Sequence, residues 1–174
     1  MSFEFGPYRL KNSQVFYESD HCIGIVNLKP IVPGHVLFVS KRNVPRLSDL
    51  SKEEVTDLYC SVHTAIPVLE KQYNARSSNV AMQDGADAGQ SVPHVHIHIL
   101  PRVPGDFENN DDIYPEIDNQ KLNEAFEGYE VGQDASKPKP RGPFDNRVPR
   151  TEQDMATETA QLRLLFPQNA PNYS

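Results

Sequence analysis

The sequence predicts an α+β fold, in which an antiparallel sheet carries one long helix and a C-terminal helix. Three observations indicate this class. Short runs rich in β-branched residues follow one another closely near the start of the chain, which favours antiparallel pairing. An amphipathic helical pattern begins at Ser51. Residues 94–100 alternate histidine with aliphatic residues, which is the period of a strand with two different faces.

The predicted strands lie on both sides of the long helix. Five of them are short runs enriched in apolar residues: 3–10 at a sheet edge, 14–17, 21–28, 35–39 and 79–83. Two prolines and a glycine make residues 29–34 a turn. Glycines make residues 84–90 a loop, after which the histidine strand begins and runs to Pro101, where we expect it to end.

Capping patterns indicate where the two helices begin. Ser51 with Glu54, and Thr151 with Asp154, have the spacing at which a first-turn side chain returns a hydrogen bond to the cap residue. Pro67 should kink the first helix or restart it, because proline lacks the amide hydrogen that the helix requires. An apolar stripe predicts that the second helix packs on the core: Met155, Leu162, Leu165 and Phe166.

With 174 residues, the chain has the length of one domain with a tail. We predict a core over 1–104, an acidic and then proline-rich flexible loop over 105–150, and a C-terminal helix and tail over 151–174. No window approaches the ~20 apolar residues of a membrane span, so we expect no membrane partner. The two cysteines lack a metal-type spacing, which favours reduced thiols in a cytoplasmic or nuclear protein.

Charge is unevenly distributed in this acidic protein, whose net charge is −7. Residues 21–48 contain four bases and no acid, whereas residues 106–134 contain ten acids and one base. An extended nucleic-acid partner is not expected, because such binding requires a broad basic field. The basic stretch could still serve a small anion. Ordinary solvated surface charge explains each cluster equally simply.

Three explanations compete for His94, His96 and His98. The imidazoles could be structural, or they could bind zinc, or they could act on an anion from the solvent-facing side of their strand. One zinc ion cannot hold all three, because the outer pair is separated by roughly 13 Å along a strand and each ligand must lie within about 2.1 Å of the metal. A His-x-His pair with His35 or Asp87 stays open. A neutral imidazole is a good nucleophile near pH 7, and loop 85–91 could offer backbone N–H groups to phosphate.

The His-φ-His-φ-His-φ-φ pattern at 94–100, where φ is apolar, resembles the histidine triad superfamily. Within that superfamily, the sequence resembles the fragile histidine triad branch. The resemblance covers residues 1–114 and 150–166, whereas residues 115–149 do not match. The other stretches that carry it are Met1-Ser2-Phe3-x-Phe5-Gly6, Asn27-x-Lys29-Pro30, Val32-Pro33-Gly34-His35-Val36, Met82-Gln83-Asp84-Gly85, Ala88-Gly89-Gln90, Pro101-Arg102, Gly105-Asp106-Phe107 and Ile113-Tyr114.

That branch hydrolyses dinucleoside polyphosphates, such as diadenosine triphosphate or tetraphosphate, with release of AMP. The resemblance therefore implies a homodimeric hydrolase with a small-molecule dinucleotide substrate. It implies Mg²⁺ or Mn²⁺ as a stimulatory ion that arrives with the polyphosphate, and no tightly held metal. Transferases of the superfamily carry glutamine at the third triad position, so His98 favours hydrolysis. A nucleoside phosphoramidase and a slow-turnover, nucleotide-bound signalling module are the alternatives, the latter with Tyr114 as a candidate for modification.

The resemblance also implies unequal roles for the site residues. His96 would be the nucleophile that forms a covalent nucleotidyl-histidine, His98 would assist at the transferring group, His94 would orient the rings, and His35 would join them as a fourth histidine. The resemblance also implies residues that bind the substrate. Asn27 would bind ribose, and the base would lie against Phe5, Ile25 and Leu37. The phosphates would be bound by Gln83, Gly89, Gln90, Ser91, Val92 and His98. A turn role for Asn27 stays open, and core packing explains the three apolar residues equally well.

Overall fold

A five-stranded antiparallel sheet forms the centre of the protein. The structure is a computed structural model that describes residues 3–119, 147–169 and 171. The strands, in the spatial order β3-β4-β5-β7-β6, are β3 (Val15–Glu18), β4 (Cys22–Val26), β5 (Val36–Ser40), β6 (Ser77–Ala81) and β7 (His96–Arg102). With helices packed on this sheet, the predicted α+β class is confirmed.

Most strand boundaries lie one or two residues from the predicted ones, and three differences change how the chain is described. Residues 3–10 form a hairpin of β1 (Glu4–Phe5) and β2 (Tyr8–Arg9), because the Gly6-Pro7 turn folds the segment back on itself. β6 ends at Ala81 and leaves Gln83 in the following loop. Pro101 does not end β7, since the carbonyl of Arg102 accepts the Arg76 N–H at 3.0 Å and extends the pairing with β6.

Helix α1 (Lys52–Gln72) covers one face of the sheet. The predicted capping box is present, with the Glu54 N–H donating to Ser51 Oγ at 3.2 Å and the Ser51 N–H donating to a Glu54 carboxylate oxygen at 2.7 Å. The helix continues through Pro67, where a kink or restart was predicted, and Leu69 beyond it is fully buried. The Tyr17 hydroxyl hydrogen-bonds Ser61 Oγ of α1 at 3.0 Å, which places α1 on the Tyr17 face of the sheet.

Two further helices follow the sheet. Helix α2 (Ile113–Asn119) lies in a segment predicted to be flexible, and it is ordered because Ile113 and Ile117 are buried against Val32 and Leu100. The remainder of that predicted loop, 120–146, lies outside the described residues. None of the helices in the described part of the chain is long and apolar enough to cross a membrane.

Helix α3 (Glu152–Leu165) begins at the predicted cap, where Thr151 Oγ1 accepts the Asp154 N–H at 3.1 Å. In its predicted apolar stripe, Met155, Leu162 and Phe166 are buried, whereas Leu165 is 37% exposed. Phe166 contacts the rings of Phe16 and Tyr17 on β3. The helix therefore packs at the β3 end of the sheet, away from the histidine strand.

The turn before β5 depends on Gly34. Its φ of +79° lies in the left-handed region, and a β-carbon at this position would lie 2.6 Å from Cε2 of Tyr73. Tyr73, at the end of α1, donates its hydroxyl to Glu158 of α3 at 2.5 Å. The glycine thus allows α1, α3 and the turn that carries His35 to meet at one point.

We expect Gly34→Ala to lower the free energy of unfolding by more than Gly105→Ala. Both glycines have a φ of +79°, so each substitution costs about 1–2 kcal/mol of backbone strain. Only Gly34 faces a side chain, since the space around Gly105 is open within 4 Å among the described residues. Overlap with Tyr73 should add about 1–3 kcal/mol. Urea denaturation at pH 7 measures both variants, and equal losses would contradict the role given to Tyr73.

Candidate active site

Four histidines converge on the face of the sheet opposite α1. In the ladder of paired residues, His98 lies between Leu37 and Ala81, and His96 lies opposite Val39. Directly paired residues of a sheet share a face, so both imidazoles lie on the face away from Tyr17 and α1. Their ring centroids are 5.1 Å apart. His35, immediately before β5, brings its ring centroid within 5.3 Å of the His98 ring.

These imidazoles are buried, and the predicted solvent-facing row of three is wrong. His35, His94, His96 and His98 are at most 1% exposed. His94 lies in a bend before β7, where its N–H donates to the Val92 carbonyl at 2.8 Å. The alternation therefore holds for two of the three histidines, and the bend brings the third ring to the β1–β2 hairpin.

Backbone groups engage both ring nitrogens of His94. The Gly6 N–H donates to Nδ1 at 2.9 Å, and Nε2–H donates to the Ser40 carbonyl at 2.6 Å. Neutral imidazole has one donor and one acceptor nitrogen, so this pair of bonds selects a single neutral tautomer. Burial lowers the pKa of His94 to about 4. His94 therefore ties the hairpin to β5 and places its own carbonyl beside His96.

That carbonyl determines the tautomer of His96. Nδ1–H of His96 donates to the His94 carbonyl at 2.6 Å, so the lone pair of the neutral ring is on Nε2. Burial lowers the pKa of His96 to about 4, and the ring is therefore unprotonated at neutral pH. Phe5 meets the ring edge-on at a centroid distance of 5.1 Å. The arrangement provides a positioned nitrogen nucleophile.

A chain of hydrogen bonds determines the opposite role for His98. The Ile31 N–H donates to His35 Nδ1 at 3.1 Å, so the proton of His35 is on Nε2, which donates to His98 Nδ1 at 3.0 Å. The proton of His98 must then be on Nε2. That buried N–H has no hydrogen-bond partner among the described residues. Since an unmade buried hydrogen bond is costly, this donor is suited to an anionic oxygen of a ligand.

Burial also lowers the pKa of the other two rings. The pKa of His35 falls to about 3, first through burial and then through the nearby Arg147 and Arg150 guanidinium groups. The pKa of His98 lies well below its usual value for the same first reason, with His96 and His35 adding to it. All four rings are therefore neutral at pH 7, which the chain of hydrogen bonds also requires.

Asn27 has the turn role that the sequence left open. Its Oδ1 accepts the Lys29 N–H at 3.0 Å, which is an Asx turn. Its Nδ2 lies 3.4 Å from His35 Nε2, but both atoms are donors here, so this is a contact without a hydrogen bond. Arg150, a residue that sequence reasoning missed, donates Nε to the Asn27 carbonyl at 3.0 Å. Ribose binding by Asn27 stays a prediction.

Gln83 lies where the glycine loop meets α2. Its Nε2 donates to Asp118 Oδ1 at 2.9 Å. Gly89 has a φ of +90°, and a β-carbon there would lie 2.5 Å from the same Nε2. The glycine is therefore required for the loop to approach the amide. The sequence contains no local signal for Asp118, which is 35 positions from its partner.

The rest of the predicted phosphate loop is anchored to the protein. Gln90 Nε2 donates to the Pro45 carbonyl at 2.8 Å, and Val92 is fully buried in the core. Ser91 is half-buried. The Gln90 side chain therefore holds the loop in place, and phosphate binding by this loop stays a prediction.

The apolar residues predicted to border the base do lie on the histidine face. Ile25 pairs with Leu37, which pairs with His98, so the three form one row across β4, β5 and β7. Phe5 contacts both His94 and His96. All three apolar side chains are fully buried, so core packing is one of their roles, and base binding stays a prediction.

The acid-free stretch, which the sequence left open as a site for a small anion or as ordinary surface charge, is largely paired with acids. Three of its four bases form ion pairs with acids from elsewhere in the chain, at N–O distances of 2.7, 2.7 and 3.2 Å: Lys41 with Glu18, Arg42 with Glu54, and Arg46 with Asp84. Folding thus neutralises charges that the linear sequence leaves separate.

The zinc alternative does not fit the positions of the imidazoles. Both ring nitrogens of His94 hydrogen-bond backbone groups, and Nδ1 of His35 does so as well. The described residues contain no group of three or more His, Cys, Asp or Glu arranged for a metal ion. The buried cluster is therefore better suited to act on an anion through Nε2 of His96 and Nε2–H of His98.

Comparison with known proteins finds relatives that align over most of the chain. A sequence model of the HIT domain matches residues 9–105. The bis(5'-adenosyl)-triphosphatase of Dictyostelium discoideum is 41% identical over 165 residues, which cover 95% of this chain and 93% of that protein. The asymmetrical bis(5'-nucleosyl)-tetraphosphatase of Schizosaccharomyces pombe is 44% identical over 163 residues, which cover 88% of this chain and 89% of that protein.

A solved structure agrees with these sequence relatives. The crystal structure of the C. elegans NitFhit protein aligns with a TM-score of 0.68 at 34% sequence identity. The alignment covers 94% of this chain and 30% of that longer chain. The sheet and helices described above are thus those of the HIT fold.

The low pKa values of the four histidines predict a loss of stability on mild acidification. Because the pKa of His94 is lower in the folded than in the unfolded chain, the unfolded state binds more protons. The stabilisation is complete above the unfolded pKa of about 6.5 and is lost as the pH falls towards the folded value. Between pH 7 and 5.5, we expect the free energy of unfolding to fall by about 1 kcal/mol per buried histidine.

Urea denaturation of wild-type protein, His94→Gln and His63→Gln tests this expectation. His94→Gln should show a pH dependence smaller by one proton, and His63→Gln, which changes an exposed residue of α1, is the control for loss of one histidine. Identical pH dependences for all three proteins would show that His94 is charged as easily in the folded state as in the unfolded state.

Proposed function

The chain belongs to the histidine triad family, in its fragile histidine triad branch, and we propose that it hydrolyses dinucleoside polyphosphates to AMP and the remaining nucleotide. Relatives aligned over most of their length carry triphosphatase and tetraphosphatase names. One observation carries the chemistry. The His94 carbonyl leaves the lone pair of His96 on Nε2, beside a His98 ring whose Nε2–H is available to an anion.

The reaction divides into two displacements. Nε2 of His96 attacks the α-phosphorus, a nitrogen–phosphorus bond forms, and the phosphorus–oxygen bond to the leaving ADP or ATP breaks. Water then attacks the same phosphorus, a phosphorus–oxygen bond forms, and the bond to Nε2 breaks, which returns neutral His96 and releases AMP and a proton to the solvent. Nε2–H of His98 would donate to the transferring phosphoryl group, where negative charge increases in each transition state.

The hydrogen bond to His94 also suits the intermediate. When Nε2 bonds to phosphorus, the imidazole ring becomes cationic and its Nδ1–H becomes a stronger donor. The His94 carbonyl already accepts that hydrogen at 2.6 Å. The same contact that selects the nucleophilic tautomer would therefore stabilise the nucleotidyl-histidine, without any rearrangement of the ring.

We propose that the active protein is a homodimer joined along β6. Among the described strands, β6 is at the edge of the sheet and pairs on one side with β7. Its Val80 is 44% exposed, which is unusual for an aliphatic residue in the middle of a strand and suits burial by a second copy. Light scattering would report twice the chain mass of 19.6 kDa, and Val80→Lys should shift the particle towards one chain.

A divalent ion would accompany the substrate in this proposal. Mg²⁺ or Mn²⁺ bound to the polyphosphate would neutralise part of its charge and stimulate turnover. Tyr114, 52% exposed on α2, is our candidate for modification if the nucleotide-bound protein also acts as a signal.

Product analysis tests the proposal most directly. The wild-type protein is incubated with dinucleotides of three to six phosphates and with an adenosine phosphoramidate, and the released nucleotides are separated. AMP with the complementary nucleotide supports the proposal and reports the preferred chain length. Cleavage of the phosphoramidate alone would assign the chain to nucleoside phosphoramidase chemistry, and tight binding without turnover would favour the signalling alternative.

Replacement of His96 by asparagine should abolish turnover and preserve binding. Removal of the nucleophile is expected to lower kcat by about 10⁴-fold or more, whereas the dissociation constant for diadenosine triphosphate should change little. Rapid-quench kinetics measures the first quantity and calorimetry the second. The same change at the exposed His63 is the control and should leave both unaltered. Hydrolysis by His96→Asn at the wild-type rate would transfer the nucleophilic role to another residue.

A further inference from the structure

Helix α2 stands on the histidine side of the sheet. Its two buried residues, Ile113 and Ile117, pack against Leu100 and Val32. Leu100 follows His98 by two positions in β7, so the two side chains share a face. The helix is therefore fixed directly beside the catalytic cluster, by an apolar contact separate from the main core.

The segment that leads into α2 is also built for a fixed position. Both Arg102 nitrogens Nε and Nη2 bind the Asp106 carboxylate, at 2.6 and 2.9 Å, and Nη1 donates to Asn79 Oδ1 of β6 at 2.7 Å. Such a two-point ion pair restricts geometry as well as adding stability. Asn109 and Asp112 then cap the turn before the helix. The position of Asp118, near the end of α2, follows from these contacts.

Asp118 determines which end of the Gln83 amide faces it. The carboxylate is an acceptor only, so its 2.9 Å contact with Gln83 must involve the amide N–H. The oxygen Oε1 then lies on the other side of the amide group. Gly89, in the glycine loop, faces the same nitrogen, because a β-carbon at this position would lie 2.5 Å from it. The amide is therefore held between the loop and α2, with one of its two orientations selected.

We propose that Asp118 is a positioning residue that turns Oε1 of Gln83 into the acceptor for the attacking water in the second displacement. This inference rests on the hydrolase function proposed above. Phosphate oxygens are acceptors and would not bind Oε1, whereas water has hydrogens to donate. Asp118 therefore acts through Gln83 on hydrolysis of the nucleotidyl-enzyme and has no comparable part in its formation.

The two displacements can be separated in Asp118→Ala. The first should proceed as in the wild type, with release of one leaving nucleotide per site, and the second should slow by about tenfold, as for loss of a hydrogen bond to a charged group. Rapid-quench analysis with diadenosine triphosphate, and mass spectrometry of the quenched protein, should show accumulated nucleotidyl-protein.

Three further variants make the test specific. Asp118→Asn retains an acceptor oxygen for the Gln83 N–H and should hydrolyse within about twofold of the wild type. Glu116→Ala removes another acid of the same helix and should behave as the wild type. In a Gln83→Ala background, Asp118→Ala should have no further effect on the second displacement, because the residue through which it acts is absent.

Several results would overturn the inference. If Asp118→Ala and Asp118→Asn both lower KM and leave kcat unchanged, Asp118 acts by charge repulsion on the polyphosphate. If Asp118→Ala accumulates no adduct and turns over as the wild type, or slows the Gln83→Ala enzyme further, it does not act through Gln83. If the wild-type protein cleaves no dinucleotide, the proposed function itself is wrong. If the wild type is active and Asp118→Ala behaves like it, only the inference about Asp118 is wrong.

Discussion

The hydrogen bond from Nδ1 of His96 to the carbonyl of His94 is the contact on which the site depends. A histidine that attacks phosphorus must hold its lone pair on the nitrogen that faces the substrate, and a free imidazole exchanges its proton between both nitrogens. The His94 carbonyl, at 2.6 Å from Nδ1 of His96, holds the proton on Nδ1 and so leaves the lone pair on Nε2. The carbonyl is in turn held in place because the His94 ring is bonded at both nitrogens, to the hairpin turn and to β5. Two short strands at the start of the chain thereby determine the chemistry of a strand some 90 residues later.

A backbone hydrogen bond also selects the tautomers of His35 and His98, but here it places the proton on Nε2 of each ring. The Ile31 N–H selects the tautomer of His35, which selects that of His98 and leaves the remaining N–H of His98 without an acceptor among the described residues. Replacement of such a ring by an aliphatic side chain would leave a buried backbone group unpaired, at a cost of about 1–3 kcal/mol. The four imidazoles are consequently structural and chemical at once. Their low pKa values follow from the same burial, so the neutral state that the nucleophile needs is the state in which the fold is most stable.

Local sequence patterns predicted those parts of the fold that form from neighbouring residues. Both capping boxes, the strands of the sheet and the proximity of His96 and His98 are of this kind, because each depends on spacings of two to four positions. Helix α2 was not predicted, because the segment is acidic and contains few apolar residues. The helix is stabilised by burial of its two isoleucines against Leu100 and Val32, which are distant in the sequence. The bend at His94 was missed for a related reason: the alternating pattern continues through it, and hydrogen bonds to distant backbone groups override the pattern. Asp118 and Arg150 reach the site from other elements, and no spacing in the sequence indicates their contacts.

The charged groups near the histidines also come from residues that are distant in the sequence. The acid-free stretch was one candidate for binding a small anion, but three of its four bases pair with Glu18, Glu54 and Asp84. The guanidinium groups that lower the pKa of His35 belong instead to Arg147 and Arg150. Arg150 is held there because it donates to the Asn27 carbonyl and to Glu158 of α3. The guanidinium groups nearest His35 therefore come from residues close to α3, a helix that the sequence alone assigned only to core packing. Because α3 holds Arg150 through Glu158 while Arg150 also donates to the Asn27 carbonyl, docking of α3 on the sheet fixes the backbone next to the turn that carries His35.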